Sequence, residues 1–175
     1  MTCAPRLLRS DGDPAALAAA VLALPQRGGV LALAAQQEEA LLRQVLPPAW
    51  PPAGAAGMSP AALDPAFVLG TGGSSGRRRW CVQPLAHLQA SVEACGQWLQ
   101  GLGLDPARCQ LFNPLPLHHI SGLMPLLRSA SWGAEQRALP PNLLREPARL
   151  RAEATPATDR PALLSLVPTQ LQRLL

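Results

Sequence analysis

Lysine and tyrosine are absent from this chain, and phenylalanine occurs only twice. Four tryptophans are the only other large aromatics, so aliphatic side chains must supply nearly all of any core. Without lysine, every basic residue is an arginine. Charged residues make up 15% of the chain and hydrophobic ones 48%. Disordered chains show the opposite balance, which excludes disorder throughout. The net charge of +4, from 15 basic and 11 acidic residues, is spread along the chain rather than gathered on one face. No nucleic-acid partner is therefore expected.

The cysteines, Cys3, Cys81, Cys95 and Cys109, include no Cys-x-x-Cys pair. That excludes the usual zinc spacing, and a disulfide framework is not expected in a chain of this size without a secretion signal. Residues 1–25 lack the charged start, apolar run and cleavage site of a leader. The most apolar stretch, Ala15–Leu24, is too short to cross a bilayer. The expectation is a cytoplasmic protein without a membrane span.

What the chain has in quantity is proline, 20 residues, and glycine, 14, and they punctuate short apolar runs. Asp13 as N-cap and Pro14 at the first helical position predict a helix over Ala15–Leu24, ended by Pro25. Val30–Ala34 reads as a buried parallel strand. Gln36–Leu46 reads as a helix with Leu41, Leu42, Val45 and Leu46 as its stripe. Residues 47–60 read as a Pro/Gly-rich surface loop. Ala66–Leu69 is a strand, Trp80–Gln83 continues as a strand, and Pro84–Leu102 is a helix with Leu85, Leu88, Val92, Cys95 and Leu99 at helical spacing. Gln110–Asn113 is a strand, Pro114–His119 a turn, and Ser121–Ser131 a helix despite Pro125. Residues 133–161 read as irregular with a weak strand. Leu163–Val167 is a strand, and a helix starts at Pro168. Strands alternating with helices predict an α/β fold with a mostly parallel sheet and flanking helices.

Between the strands at 66–69 and 80–83 lies Thr71-Gly72-Gly73-Ser74-Ser75-Gly76, followed by Arg77-Arg78-Arg79. Glycines let the backbone turn sharply and aim successive N–H groups at an anion. The hydroxyls of Thr71, Ser74 and Ser75 add donors, and an arginine offsets negative charge. The segment reads as a phosphate cradle. The plainer alternative is a Gly/Ser-rich surface turn. A Walker A loop is excluded, because Gly76 is followed by arginine rather than Lys-Ser/Thr. The dinucleotide fingerprint lacks its last glycine in register. Gly72-Gly73-Ser74-Ser75-Gly76 does satisfy Gly-x-Ser-x-Gly, the nucleophile elbow of α/β-hydrolases, with Ser74 as nucleophile. An elbow must lead at once into a helix, which Arg77-Arg78-Arg79-Trp80 is poorly suited to begin.

The run from Thr71 to Arg79 resembles the phosphate-binding signature of adenylate-forming enzymes (acyl-CoA synthetases, luciferases and peptide-synthetase adenylation domains), roughly Thr-Ser-Gly-Ser/Thr-Thr-Gly-x-Pro-Lys. Gly72 stands for Ser, Ser75 for Thr, Arg78 for Pro and Arg79 for Lys. A second segment, Leu115-Pro116-Leu117-His118-His119-Ile120-Ser121-Gly122-Leu123, resembles the family's Pro-Leu-Phe-His-x-x-Gly-Leu. A third, Leu166-Val167-Pro168-Thr169, is similar to the Val-Pro-Thr that leads into its acyl-pocket helix. All three occur in the family's order.

The resemblance implies the N-terminal part of the large domain of an acid–CoA ligase, with ATP, Mg2+, CoA and an aromatic carboxylic acid as small-molecule partners. It implies phosphate contacts from Thr71, Gly72, Gly73, Ser74, Ser75, Gly76 and Arg79, and it places His119 beside the acyl-adenylate. His118 reads as its structural neighbour, and His87 as a surface residue on a helix. The family's Tyr-Gly-x-Thr-Glu segment, its ribose-holding Asp and its C-terminal domain with a catalytic Lys have no counterpart in residues 1–175. The expectation is a partial domain, inactive or nearly so by itself. A non-catalytic nucleotide-binding domain is the further alternative.

Overall fold

Two short sheets organise the chain, one in each of two units, residues 1–90 and 91–175. The computed structural model describes residues 4–50, 63–71, 79–156 and 159–174. Both sheets carry parallel strands with helices in the connections, so the fold is α/β as the alternation of elements predicts.

In the first unit the strand order is β1-β2-β3-β4, with β1 Arg6–Arg9, β2 Val30–Ala34, β3 Ala66–Thr71 and β4 Arg79–Pro84. The first three strands are parallel, and β4 runs antiparallel to β3. All five residues of β2 are buried, as are the first five of β3, which is why these two read as continuous apolar runs. Val30, Ala32, Ala34, Ala66 and Val68 join Leu42, Trp50 and Leu63 in one core cluster. The indole of Trp50 donates to the carbonyl of Leu63 at 3.0 Å. That bond gives a buried aromatic its polar partner.

Helix α1 spans Pro14–Leu22, and the Asp13 carboxylate accepts from the Ala15 N–H at 2.9 Å. Pro25 does not end the helical path. It occupies the first turn of a one-turn helix α2, Leu24–Arg27, where a proline's missing N–H costs no bond within the helix. Gly28 closes that turn at φ +67°, a conformation that favours glycine. The expected helix over 36–46 begins as a 3-10 turn, Gln36–Glu38, before α3, Glu39–Val45. Of its expected stripe, Leu42 is buried, whereas Leu41 and Val45 are exposed. The 47–60 loop lies outside the described residues from position 51 onward.

Helix α4, Leu85–Gly101, buries Leu85, Leu88, Val92 and Leu99 at the spacing expected. The division between the units falls inside it.

In the second unit the order is β6-β5-β7, all parallel, with β5 Gln110–Asn113, β6 Glu135–Ala138 and β7 Ala162–Leu164. Helix α5, Ile120–Trp132, connects β5 to β6, and α6, Pro147–Glu153, lies between β6 and β7. Residues 133–161 are thus more regular than expected. Phe112 is 1% exposed and clusters with Leu139, Leu143 and Leu150. At the start of the sheet, Arg160 bonds Glu135 at 2.7 Å and the carbonyls of Arg108 and Cys109 at 3.0 and 3.3 Å. The expected strand at 163–167 is shorter, ending at Leu164, and α7 runs Pro168–Leu174.

Candidate functional site

The Gly/Ser-rich segment joins two antiparallel strands. β3 and β4 pair from Ala66↔Pro84 to Thr71↔Arg79, so the two strands form a hairpin whose connection in sequence is residues 72–78. Thr71 and Arg79 are its two described ends, and the Thr71 hydroxyl donates to the Arg79 carbonyl at 3.3 Å. Gly72, Gly73, Ser74, Ser75 and Gly76 lie outside the described residues, as do Arg77 and Arg78. An elbow nucleophile sits on a strand-to-helix turn, whereas here the chain re-enters the same sheet as β4.

Because β1, β2 and β3 are parallel and β4 is antiparallel, the hairpin stands at the carboxyl edge of the sheet. Ligands of open α/β sheets bind outside that edge. Among the described residues Arg9 and Arg79 lie there, and their surroundings differ. Arg9 is held by Asp11 through two bonds of 3.2 and 2.9 Å, and that hydrogen bond and charge raise its guanidinium above the ordinary value. Arg79 is exposed and has no acidic partner among the described residues. Its charge is therefore available to an anion, while that of Arg9 is largely offset.

His119 belongs to the second unit. It is the N-cap of α5, with extended backbone at φ −109°, and its carbonyl accepts the N–H groups of Gly122 and Leu123 at 3.0 and 2.9 Å. It is half-buried. His118 beside it is buried to 9% exposure, and the two rings stand 4.1 Å apart, tilted by 50°. The two adjacent histidines thus differ in burial. His87 is exposed on α4.

The turn that presents His119 is fixed from below. Gly122, in the first turn of α5, lies so close to the turn that a Cβ there would meet the Pro116 carbonyl oxygen at 2.2 Å and that of Leu115 at 2.6 Å. Pro125, inside α5, is fully buried. At the third landmark, α7 starts at Pro168, and the Gln170 side chain caps it by accepting from the Val167 N–H at 2.9 Å.

Among the described residues no group of three or more His, Cys, Asp or Glu is placed to hold a metal ion, and no helix is long and apolar enough to cross a membrane. The clefts of about 580 Å³ along β1 and α1 and about 360 Å³ beside α6 and β7 contain none of the candidate phosphate-binding or catalytic residues. Cys109 is buried, and burial, with the charge of Asp105 adding to it, pushes its thiol above the ordinary value. Cys109 should accordingly resist alkylation in the native protein at neutral pH and react once the chain is denatured. Mass-spectrometric mapping with iodoacetamide checks this, and native labelling at Cys109 would contradict the burial.

Neither a protein-family model nor a curated protein sequence matches the chain. Among solved structures, the o-succinylbenzoate CoA synthetase of Bacillus subtilis, in complex with its acyl-adenylate intermediate, aligns with 97% of this chain at 16% identity and a TM-score of 0.47. The chain spans 44% of that enzyme's length. A superposition this loose carries no argument about activity.

Proposed function

We propose that this chain supplies the phosphate grip and the acyl-side histidine of an adenylate-forming acid–CoA ligase. The reading rests on the three motif segments taken together, and the observation that carries it is the hairpin. Strand β3 ends with Thr71 at the carboxyl edge of a mostly parallel sheet, and β4 runs back antiparallel from Arg79 beside it. Arg79 is without an acidic partner among the described residues.

In such a ligase a carboxylate attacks the α-phosphate of ATP, giving an acyl-adenylate and pyrophosphate. The thiol of CoA then displaces AMP to form the thioester. The first step requires negative charge to be neutralised on the departing pyrophosphate. Backbone N–H groups and hydroxyls of residues 71–76 would do so, with Arg79 as the cation in the place of the family's lysine. Arginine keeps the charge but presents a planar fork rather than a point charge. Mg2+ would ride chiefly on the nucleotide's phosphates, because the ion keeps several waters and asks little of the protein. His119, in the second unit, would stand beside the acyl group.

For the acid we propose o-succinylbenzoate, an intermediate of menaquinone and phylloquinone synthesis. The runs Gly70–Gly76, His118–Met124 and Leu166–Leu175 are similar to those of the cyanobacterial-type ligases for that acid. Residues 1–175 would bind nucleotide without turning it over, since the chain has no lysine to act as the family's catalytic one.

The test is a calorimetric titration of the 175-residue protein with Mg·ATP and with pyrophosphate, beside ATP–pyrophosphate exchange. We expect measurable binding of both, a loss of about tenfold or more in Arg79→Ala, in line with losing a charge-assisted contact, and no exchange. Absence of binding by the unaltered chain sinks the reading. Robust exchange would refute the inactivity of residues 1–175. A fluorophosphonate probe should leave Ser74 unlabelled, and labelling there would favour the hydrolase.

A further inference from the structure

Asn113 closes β5 and is 4% exposed, yet no motif in the sequence points to it. A buried primary amide is costly unless both its ends find partners. Here both do. Its Nδ2 donates to the carbonyl of Gly122 at 2.8 Å, and its Oδ1 accepts from the N–H of Leu115 at 3.1 Å. Everything between those anchors is the turn that carries His118 and His119. The backbone carbonyl of Asn113 is also taken, by the N–H of Leu139 at 2.9 Å, so the residue cannot shift without disturbing the chain that leaves β6.

Two neighbouring features make the turn depend on that amide. Gly122 lies against the carbonyls of Leu115 and Pro116 with no room for a methyl group, so the first turn of α5 and the 115–116 backbone are held at one spacing. The His119 N–H donates to the Pro116 carbonyl at 3.1 Å, and the His119 ring stands against that of buried His118. A displacement of residues 115–116 therefore reaches His119 through its hydrogen bond to the Pro116 carbonyl.

We propose that Asn113 is a positioning residue for His119, acting through the 114–119 turn and touching no substrate. The role demands asparagine. One atom must donate and another accept in the same plane, which an ionised aspartate or a leucine of similar volume does not offer. The consequence for ligand affinity rests on the function proposed above, while the geometry of the ring does not.

The test compares Asn113→Ala, Asn113→Asp and, as a control in the same unit's core, Leu144→Ala, which packs on the Phe112 cluster. The readouts are the histidine ring proton and carbon resonances, the nuclear Overhauser contact between the two rings, and affinity for a non-hydrolysable acyl-adenylate mimic (an acyl-sulfamoyl adenosine). In Asn113→Ala the His119 resonances should move, the ring contact should weaken and affinity should fall about tenfold or more, with His87 unchanged. Leu144→Ala should leave the His119 resonances in place and affinity within about twofold.

Asn113→Asp adds a readout that a merely structural role would not move. Its buried carboxyl faces the Gly122 carbonyl, so only the protonated form can donate, and its acidity is weakened. Compared with the unaltered protein at each pH, the variant should resemble it in acid and come to resemble Asn113→Ala as pH rises through that raised value. If Asn113→Ala fails to fold, this pH-dependent recovery decides the matter. Unmoved His119 resonances in the folded variants, or equal movement in Leu144→Ala, would overturn the proposal. Failure of the unaltered chain to bind the mimic would overturn the ligase reading instead, and the ring resonances would still decide for or against Asn113.

Discussion

Gly122→Ala is expected to destabilise the second unit by about 3 kcal/mol or more, at the upper end of what overpacking costs. The added Cβ would lie 2.2 Å from one backbone oxygen and 2.6 Å from another. Neither is the tip of a flexible side chain that could swing aside. Relief requires either the start of α5 or the 115–116 backbone to move, and both are tied. Gly122 donates its N–H to the His119 carbonyl at 3.0 Å and its carbonyl accepts from Asn113. For a unit of this size each kcal/mol lowers the melting temperature by roughly 4–8 °C, so a drop of more than about 10 °C is expected. Thermal and urea unfolding followed by circular dichroism check it. A variant within about 1 kcal/mol of the parent would show that the turn is less tightly packed against α5 than described.

Phe112→Ala should cost about 3–5 kcal/mol, the range for deleting a buried aromatic ring. Phe112 is one of only two phenylalanines in the chain and lies on the central strand of its sheet, 1% exposed among Leu139, Leu143 and Leu150. Those leucines come from the segment after β6 and from α6, so the ring is what joins both to β5. Collapse around the void is limited, because β5 is paired on both sides. Phe112→Leu, which keeps much of the volume, should lose far less. Trp98→Ala, removing a larger ring that is 63% exposed, should stay within about 0.5 kcal/mol of the parent. Urea midpoints for the three variants give the comparison directly. A Phe112→Ala loss no greater than that of Trp98→Ala would mean that Phe112 is not the centre of that core.

How far the chain could be read in advance varied with the physical basis of each signal. Asp13 and Pro14 announced α1, because capping is a local arrangement of one carboxylate, one N–H and one ring. Val30–Ala34 and Ala66–Leu69 announced β2 and β3, because strands buried on both faces must be apolar throughout. Strand β1 escaped notice. An edge strand ending in two exposed arginines, Arg6 and Arg9, has neither an apolar run nor a clean alternation to betray it. Helix α6 hid for a related reason. Pro147 opens it, and only Leu150 among its residues is buried, so seven residues carried no periodic stripe. The Leu41–Val45 stripe erred the other way, because apolar spacing marks what a helix could bury, whereas Leu41 and Val45 remain exposed.

The sequence alone determined the α/β class, the order of most elements and the residues with unusual chemistry: the Gly/Ser-rich run, the arginine behind it and the paired histidines. Each depends on residue type and on spacing over a few positions, which a linear reading can see. Tertiary structure alone decided that the strand after the Gly/Ser-rich run pairs antiparallel with the strand before it. It decided which of two adjacent histidines is buried, and that Arg9 is engaged by acid while Arg79 is not among the described residues. It also gave Asn113 its partners nine residues ahead and two residues ahead in the chain. Burial, hydrogen-bond partners and close backbone approach are set by which segments meet in space. Side-chain identity limits those meetings without specifying them.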